Sequence, residues 1–152
     1  MATDTHGWAT NFYFTVAFQS KWDMFRCSFS EVSGLDMEVK LEKPHYTESW
    51  AFFPREITHG NITLKRPVTA VNKKEPFTVW LSKCLKNDKA GKIIPYDMII
   101  KLLDESGEPL AGWMCTHAFP IKWSLSGLDS QKSELATETV VVTYNRLERV
   151  TQ

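Results

Sequence analysis

Few side chains in this sequence are of the types and spacings that catalysis requires. Its four histidines are scattered along the chain, at His6, His45, His59 and His117. A thiol nucleophile needs a nearby base, and Cys115 with His117 is the closest pairing. His117 shares its alternating face with Trp113 and Phe119, a pattern more typical of a packed or interface histidine. No serine-hydrolase, zinc-protease or phosphate-loop motif is present, so we expect no catalytic residues and a protein that is not an enzyme.

Metal and cofactor sites are also not indicated. The cysteines Cys27, Cys84 and Cys115 are odd in number and widely spaced, without a C-x-x-C pair. This usage favours buried free thiols in a reducing compartment over disulfides or a zinc site. The acidic cluster within residues 104–108 fits the tip of a hairpin as well as it fits a cation site. We therefore expect neither a cofactor nor a metal.

Composition favours a soluble domain that associates with itself. The 152 residues suit a single domain over 1–152, with 18 basic and 18 acidic side chains. This balance argues against specific nucleic-acid recognition, and a near-zero net charge permits self-association. The first residues show no secretory signal pattern, and no run of 18 apolar residues occurs. The expectation is cytoplasmic assembly without direct membrane insertion.

Alternating apolar residues predict a chain dominated by β-strands. Asn11–Phe18 places Phe12, Phe14 and Val16 on one face, and Glu138–Tyr144 places Val140 and Val142 on one face. Further strands are expected near 27–32, 35–46, 61–66, 96–103, 110–119 and 121–125. Breaks fall at Ser33-Gly34, at the 104–107 turn and at Pro120.

One helix is predicted over Phe77–Leu85, where apolar residues recur at helical spacing. Asn72 and Glu75 fit a capping box, and Pro76 fits a first turn. So short a helix must pack on a sheet. The predicted fold is mainly β, a small β-barrel or sandwich of two packed antiparallel sheets with one flanking α-helix. Its expected core comprises Phe12, Phe14, Val16, Phe77, Trp80, Leu81, Leu85, Ile100, Leu102, Trp113, Val140 and Val142.

Large apolar residues also occur where no strand or helix is predicted. Residues 48–60 do not alternate cleanly and are interpreted as a loop, which includes Trp50, Phe52, Phe53, Pro54 and Arg55. Aromatic side chains beside an arginine are typical of an interface hot spot. The alternative is a loop folded back over its own core.

Several of these segments together resemble the tail tube protein family of contractile phage tails and phage-like contractile injection systems. The resemblance lies in F-Y-F-T-V-A-F (12–18), S-F-S-E-V-S-G-L (28–35), Y-T-E (46–48) and N-I-T-L-K-R (61–66). A tryptophan-bearing helix, the D-E-S-G turn, Trp113, A-F-P-I-K-W (118–123) and E-T-V-V-V-T-Y (138–144) follow in the family's order. The resemblance covers roughly residues 11–145.

The resemblance implies a structural subunit that forms hexameric rings, which stack into a hollow tube around a lumen. Its partners would be further copies of itself, the contractile sheath, spike or hub and baseplate proteins, and possible cargo in the lumen. Residues 46–60 would form the loop that reaches an adjacent ring, and residues 1–10 a flexible tail.

One departure from the family concerns this loop. Many similar chains carry a glycine-rich acidic stretch there, whereas this chain has S-W-A-F-F-P-R (49–55). The chain is therefore either the repeated main tube subunit or a terminal ring joining the tube to the spike or baseplate. Two other interpretations stay open: a monomeric β-barrel that binds a small hydrophobic molecule, and a thiol enzyme using Cys115 and His117.

Overall fold

The computed structural model describes residues 12–42, 53–68, 75–86, 93–131 and 135–150. These residues form ten strands and one helix. The elements are β1 (Phe12–Gln19), β2 (Met24–Cys27), β3 (Glu31–Ser33), β4 (Glu38–Glu42), β5 (Phe53–Thr58), β6 (Ile62–Pro67), α1 (Pro76–Cys84), β7 (Tyr96–Asp104), β8 (Pro109–Leu125), β9 (Thr137–Thr143) and β10 (Arg146–Val150).

The strands form one large antiparallel sheet and one small one. The large sheet has the order β2-β1-β7-β8-β9-β6-β3, with β10 paired to β8, and the small sheet consists of β4 and β5. The mainly β prediction with one helix is confirmed. Of the two predicted arrangements the described strands fit a sandwich, because they form no closed barrel.

The 17-residue strand β8 joins the two halves of the large sheet. Its first part pairs with β7 and β10, and its last part pairs with β9. Between them His117 adopts a left-handed backbone with φ 52°, and its N–H donates to the Asp97 carboxylate at 3.1 Å. The register shifts between Pro120 and Lys122, where the sequence predicted a break. An irregularity of this kind lets one strand continue from one half of the sheet into the other.

The core is an aromatic cluster between the two halves of the sheet and the helix. Phe18 stacks on Phe25, with ring centroids 5.1 Å apart, and both contact Trp80 of α1. The Trp80 indole N–H donates to the Ile94 carbonyl at 2.6 Å, which satisfies its polar group. The helix therefore packs on the sheet through its apolar stripe.

Most residues expected in the core are enclosed by the protein. Val16, Phe77, Trp80, Leu81, Ile100, Val140 and Val142 are buried, and Phe14, Leu102 and Trp113 are half-buried. The side chain of Phe12 lies outside the described residues. Leu85 is 37% exposed, contrary to expectation, because α1 ends at Cys84 and Leu85 follows its last turn.

The predicted capping box does not form at Glu75. Glu75 occupies the N-cap position but makes no capping bond with its side chain, which is engaged by Arg66 instead. Pro76 is the first helical residue, as predicted. Asn72, the other expected partner, lies outside the described residues.

The predicted loop of residues 46–60 contains strand β5. This strand pairs with β4, placing Val39 opposite Ile57 and Leu41 opposite Pro54, with a register shift after Lys40. Proline has no N–H to donate to a ladder, and the irregular register hides the alternation that marks a strand. The earlier part of that segment, residues 46–52, lies outside the described residues.

Candidate assembly surfaces

A buried arginine contacts residues at four elements of the large sheet and its helix, which together we call the body. Arg66, on β6, donates from both terminal nitrogens to Glu75 before α1, at 2.6 and 3.0 Å, and from Nε to Glu138 of β9 at 2.8 Å. It also contacts the Cys27 sulfur of β2 at 2.9 Å and lies over the Phe77 ring. Bidentate pairs of this type are strong and directional. We call this cluster of Arg66, Glu75, Glu138, Cys27 and Phe77 the Arg66 junction.

The electrostatics of the junction are those of a structural ion pair. The hydrogen bonds from Arg66 hold the pKa of Glu75 below its usual value, so that carboxyl is ionised near neutral pH. Burial raises the pKa of Cys27 to about 11. Its thiol therefore stays protonated and is a poor nucleophile.

The proposed thiol nucleophile has no chemical support at its position. Cys115 is fully buried, and burial raises the pKa of its thiol to about 12. A thiolate is the reactive form of cysteine, and it is not populated there near neutral pH. His117 is exposed and sits in the irregular stretch of β8. In the part of the chain that the structure describes, no group of three metal-ligating side chains could hold a metal ion.

Within the described residues, buried side chains occupy the interior where a binding barrel would hold its hydrophobic ligand. Phe18, Phe77 and Met98 are fully buried at its centre and pack against one another and their neighbours. The depressions found on the described surface are open grooves, such as the one between α1 and Trp123 of β8. A ligand-binding barrel would instead need an enclosed apolar cavity.

The β4–β5 hairpin, which we call the arm, projects an apolar pair that the body does not cover. Val39 and Ile57 are cross-strand neighbours and are 47% and 67% exposed, and Met37 before β4 is also exposed. Among the described elements, β4 and β5 contact only each other. An uncovered apolar hairpin of this kind is typical of a protein interaction site.

The residues that the sequence singled out as an interface lie at or beside this arm. Phe53, Pro54 and Arg55 belong to β5, but only their backbone is described. Trp50 and Phe52 lie outside the described residues. Their role in contacts between rings stays a prediction.

Two further exposed apolar groups were not singled out by the sequence reasoning. Trp22, in the β1–β2 turn, is 87% exposed, and the Lys21 ammonium lies 5.3 Å from its ring centroid. Ile121, Trp123 and Leu125 alternate along the last part of β8 and are also exposed. Their alternation was visible in the sequence, but periodicity does not tell which apolar face a fold leaves uncovered.

The Asp104–Gly107 turn supports the structural interpretation of the acidic cluster. Asp104 Oδ1 accepts hydrogen bonds from the Ser106 N–H and hydroxyl and from the Glu108 N–H. Gly107 adopts φ 90°, as the turn requires. These bonds lower the pKa of Asp104 and engage one of its two carboxylate oxygens in the turn itself.

Several solved structures share this fold. A chain of the anti-feeding prophage baseplate, from a sixfold-symmetrised cryo-EM structure, matches with a TM-score of 0.76 and 20% identity, covering 99% of this chain and 97% of that one. A chain of the PVC sheath-tube complex in the extended state matches with a TM-score of 0.73 and 22% identity, covering 91% and 88%. Hcp1 from Flavobacterium johnsoniae matches with a TM-score of 0.53 and 13% identity, covering 89% and 94%. At these identities the likeness establishes the fold.

The family is established by sequence. No curated protein matches the chain. None of the described helices is long and apolar enough to cross a membrane. The model of the T4-like virus tail tube protein gp19 family matches residues 10–148, which is nearly the whole chain. With a fold shared by injection-system tube and baseplate proteins and an uncovered arm, this chain belongs to the T4-like virus tail tube protein family and is a structural tube subunit.

Proposed function

We propose that this chain forms hexameric rings that stack into the inner tube of a contractile phage tail or injection system and does no catalysis. Family membership over residues 10–148 is the observation that carries the proposal. Sixfold symmetry is supported by the baseplate protein of similar fold, whose structure is sixfold symmetrised. The tube would serve as a rigid conduit, while the sheath around it supplies the motion.

Free strand edges support ring formation. Strands β2 and β3 end the large sheet, and each pairs on one side within the described residues. An unpaired edge exposes a row of N–H and C=O groups and invites another strand. Closure of a ring through such edges would hide them and stiffen the tube.

The arm is the proposed contact between rings. Val39 and Ile57 supply an exposed apolar pair, and the aromatic segment of residues 50–55 includes the first three residues of β5. Desolvating such side chains against a neighbour is the usual source of hot-spot affinity. In a terminal ring the same surface would dock on a spike, hub or baseplate protein.

The choice between main tube and terminal ring is the finer part of the proposal. The sheath-tube chain and the baseplate chain match with similar TM-scores of 0.73 and 0.76. The aromatic residues in place of a glycine-rich loop favour a specialised partner, and so a terminal ring. Assembly in the cytoplasm and cargo within the lumen belong to the same proposal.

Negative-stain electron microscopy of the isolated protein, with light scattering alongside, tests the proposal. Sixfold rings would support it. Rings that stack into open-ended tubes would identify a main tube subunit, and rings that never stack would favour a terminal ring. A monomer at every concentration, also when mixed with its own baseplate components, would refute it.

The arm assignment has its own test in the Trp50→Ala, Phe52→Ala double variant. Hot-spot truncations cost roughly 2 kcal/mol or more, so stacking or docking should be lost while the subunit stays folded. Trp22→Ala is the control, because this large side chain is 87% exposed and lies in the β1–β2 turn, outside the arm. If the double variant stacks and docks like the unaltered protein, the aromatic segment is not the contact.

A further inference from the structure

Among the described residues, His59 lies where the arm, β4–β5, joins the large sheet. It follows the last residue of β5, and its ring lies flat on Tyr144, with centroids 3.8 Å apart and an interplanar angle of 9°. Its Nε2 lies 3.0 Å from the Asn145 carbonyl oxygen, between β9 and β10, and its Nδ1 lies 3.0 Å from the Gly60 carbonyl oxygen. A second hydrogen bond holds the same end of the arm, since the Gly60 N–H donates to the Asp36 carboxylate at 2.8 Å.

Both ring nitrogens of His59 therefore face groups that can only accept a hydrogen bond. A neutral imidazole carries one N–H, so it can donate to one of the two carbonyls and turns a lone pair toward the other. A protonated imidazolium carries two N–H groups and satisfies both. The charged imidazole of His59 can therefore donate to both carbonyl oxygens at the base of the arm. The neutral imidazole can donate to only one of them.

The groups around the ring are compatible with a positive charge. Asp36 reaches it from the β3–β4 connection through Gly60. Below the ring, burial raises the pKa of Tyr144 to about 12, so the phenol stays neutral. Cys115 of β8, beyond Tyr144, is a protonated thiol. Arg146, which follows Asn145, is paired with Glu148 on its own strand.

We propose that His59 is a pH-dependent latch, which holds the arm against the body when its imidazole is protonated and loosens it when the imidazole is neutral. Histidine is the side chain that ordinarily changes charge between about pH 5 and 8, which sets the two pH values of the test. Its consequence for assembly rests on the proposed function: mild acid would fix the arm in one position and favour contact with the next ring. The latch itself is a property of the single chain.

Hydrogen–deuterium exchange of the full-length protein, followed by mass spectrometry, tests the latch at pH 6 and pH 8. Labelling times are scaled to the intrinsic exchange rate at each pH, and peptides covering β4, β5 and residues 59–61 are read. We expect protection in these peptides to fall about five- to tenfold from pH 6 to pH 8, the factor that corresponds to one hydrogen bond. Peptides of β7 should keep their protection.

Two variants separate the latch from a general effect of pH. His59→Gln keeps a donor and an acceptor but cannot gain a proton, so protection of the arm should no longer depend on pH. His117→Asn removes the other described histidine with a residue that tolerates its left-handed backbone, and it should behave like the unaltered protein. Equal protection of the arm at both pH values in the unaltered protein, or an unchanged pH response in His59→Gln, would overturn the proposal.

Exchange is read on whatever oligomer forms, and microscopy of the same samples reports assembly. Rings with pH-independent exchange would remove the latch and leave the tube function standing. If protection of the arm depends on pH but the chain never forms rings, the latch would be supported and the tube function refuted.

Discussion

The Arg66 junction and the arm differ in burial: the protein encloses the side chains of the first and leaves those of the second exposed. At the junction Arg66 is 8% exposed, and the carboxylates of Glu75 and Glu138 and the Phe77 ring surround its guanidinium. In the arm, Ile57 is 67% exposed and the strands contact only each other among the described elements. The junction is enclosed within one subunit, whereas the arm leaves an apolar pair that no other described element covers. Substitutions in the first region should therefore affect folding, and substitutions in the second should affect assembly.

The largest effect on folding is expected from Trp80→Ala. This buried side chain contacts four other aromatic rings and anchors α1 through its bond to Ile94. Truncating a buried aromatic residue should lower the free energy of unfolding by about 3–5 kcal/mol. Urea denaturation followed by circular dichroism measures the loss. A folded Trp80→Ala subunit of unchanged stability would mean that the helix is not part of the body.

The control for that change is Trp22→Ala. Trp22 is 87% exposed in the β1–β2 turn, so its removal should change the free energy of unfolding by less than about 0.5 kcal/mol. Trp80→Ala and Trp22→Ala remove the same side chain, one from inside the core and one from outside it.

Removing the charge at the junction should have the next largest effect. Arg66→Met leaves Glu75 and Glu138 without their partner and should cost about 3 kcal/mol, because removing one member of a buried pair strands the other charge. Lys65→Met on the same strand is the matched control, since Lys65 makes a 3.8 Å exposed pair with Glu31. That change should cost less than about 0.5 kcal/mol. Equal losses in the two variants would show that the junction is not a special anchor.

The junction also predicts the response of the body to acid. Arg66 lowers the pKa of Glu75 in the folded state below its ordinary value of 4.5. A depressed carboxyl pKa stabilises the fold above the ordinary value, and this contribution is lost as the pH falls through the depressed one. Urea denaturation between pH 3 and 6 should show stability declining below about pH 4.5, less steeply in Arg66→Met. An identical slope in both proteins would contradict the assignment.

A glycine series tests the connection between body and arm at intermediate magnitude. Gly34 has φ 97°, and an added Cβ would lie 2.2 Å from the Asn61 carbonyl oxygen, a backbone atom. Gly34→Ala should cost about 2 kcal/mol, since it combines backbone strain with a clash. Gly107→Ala should cost about 1 kcal/mol, because φ is 90° but the nearest atom is the Tyr13 hydroxyl at 3.4 Å. Gly127→Ala, with nothing within 4 Å, should be neutral in thermal unfolding, and any other order would refute the steric argument.

How far the sequence predicts this molecule depends on whether a segment is dictated by local pattern or by distant contacts. The helix at Phe77, the turn at Gly107 and the alternating strand at Val140 carry their own signals, and all were predicted. No pattern in the sequence indicated the Arg66 junction, because the partners Glu75 and Glu138 are 9 and 72 residues away from Arg66. Sequence spacing alone does not bring such groups together.

The arm was the least predictable part of the site for a related reason. Pro54 and the register shift after Lys40 disturb the alternation of β5, so its strand was interpreted as part of a loop. The apolar character of the segment nevertheless indicated an interface. The latch at His59 was missed, because its partners at residues 144 and 145 come from the other end of the chain.

The smallest effect on folding is expected in the arm itself. Val39→Thr with Ile57→Thr keeps β-branched side chains and strand propensity but replaces the exposed apolar pair with polar groups. Because nothing in the described body covers this pair, the free energy of unfolding should change by less than about 0.5 kcal/mol. Sedimentation velocity at a fixed concentration should instead show a clear loss of stacked rings or, for a terminal ring, of rings docked on baseplate components, while Leu128→Thr, another exposed position outside the arm, leaves them intact. A loss of several kcal/mol in subunit stability would mean that the body covers the arm after all, and the contrast with the Arg66 junction would fail.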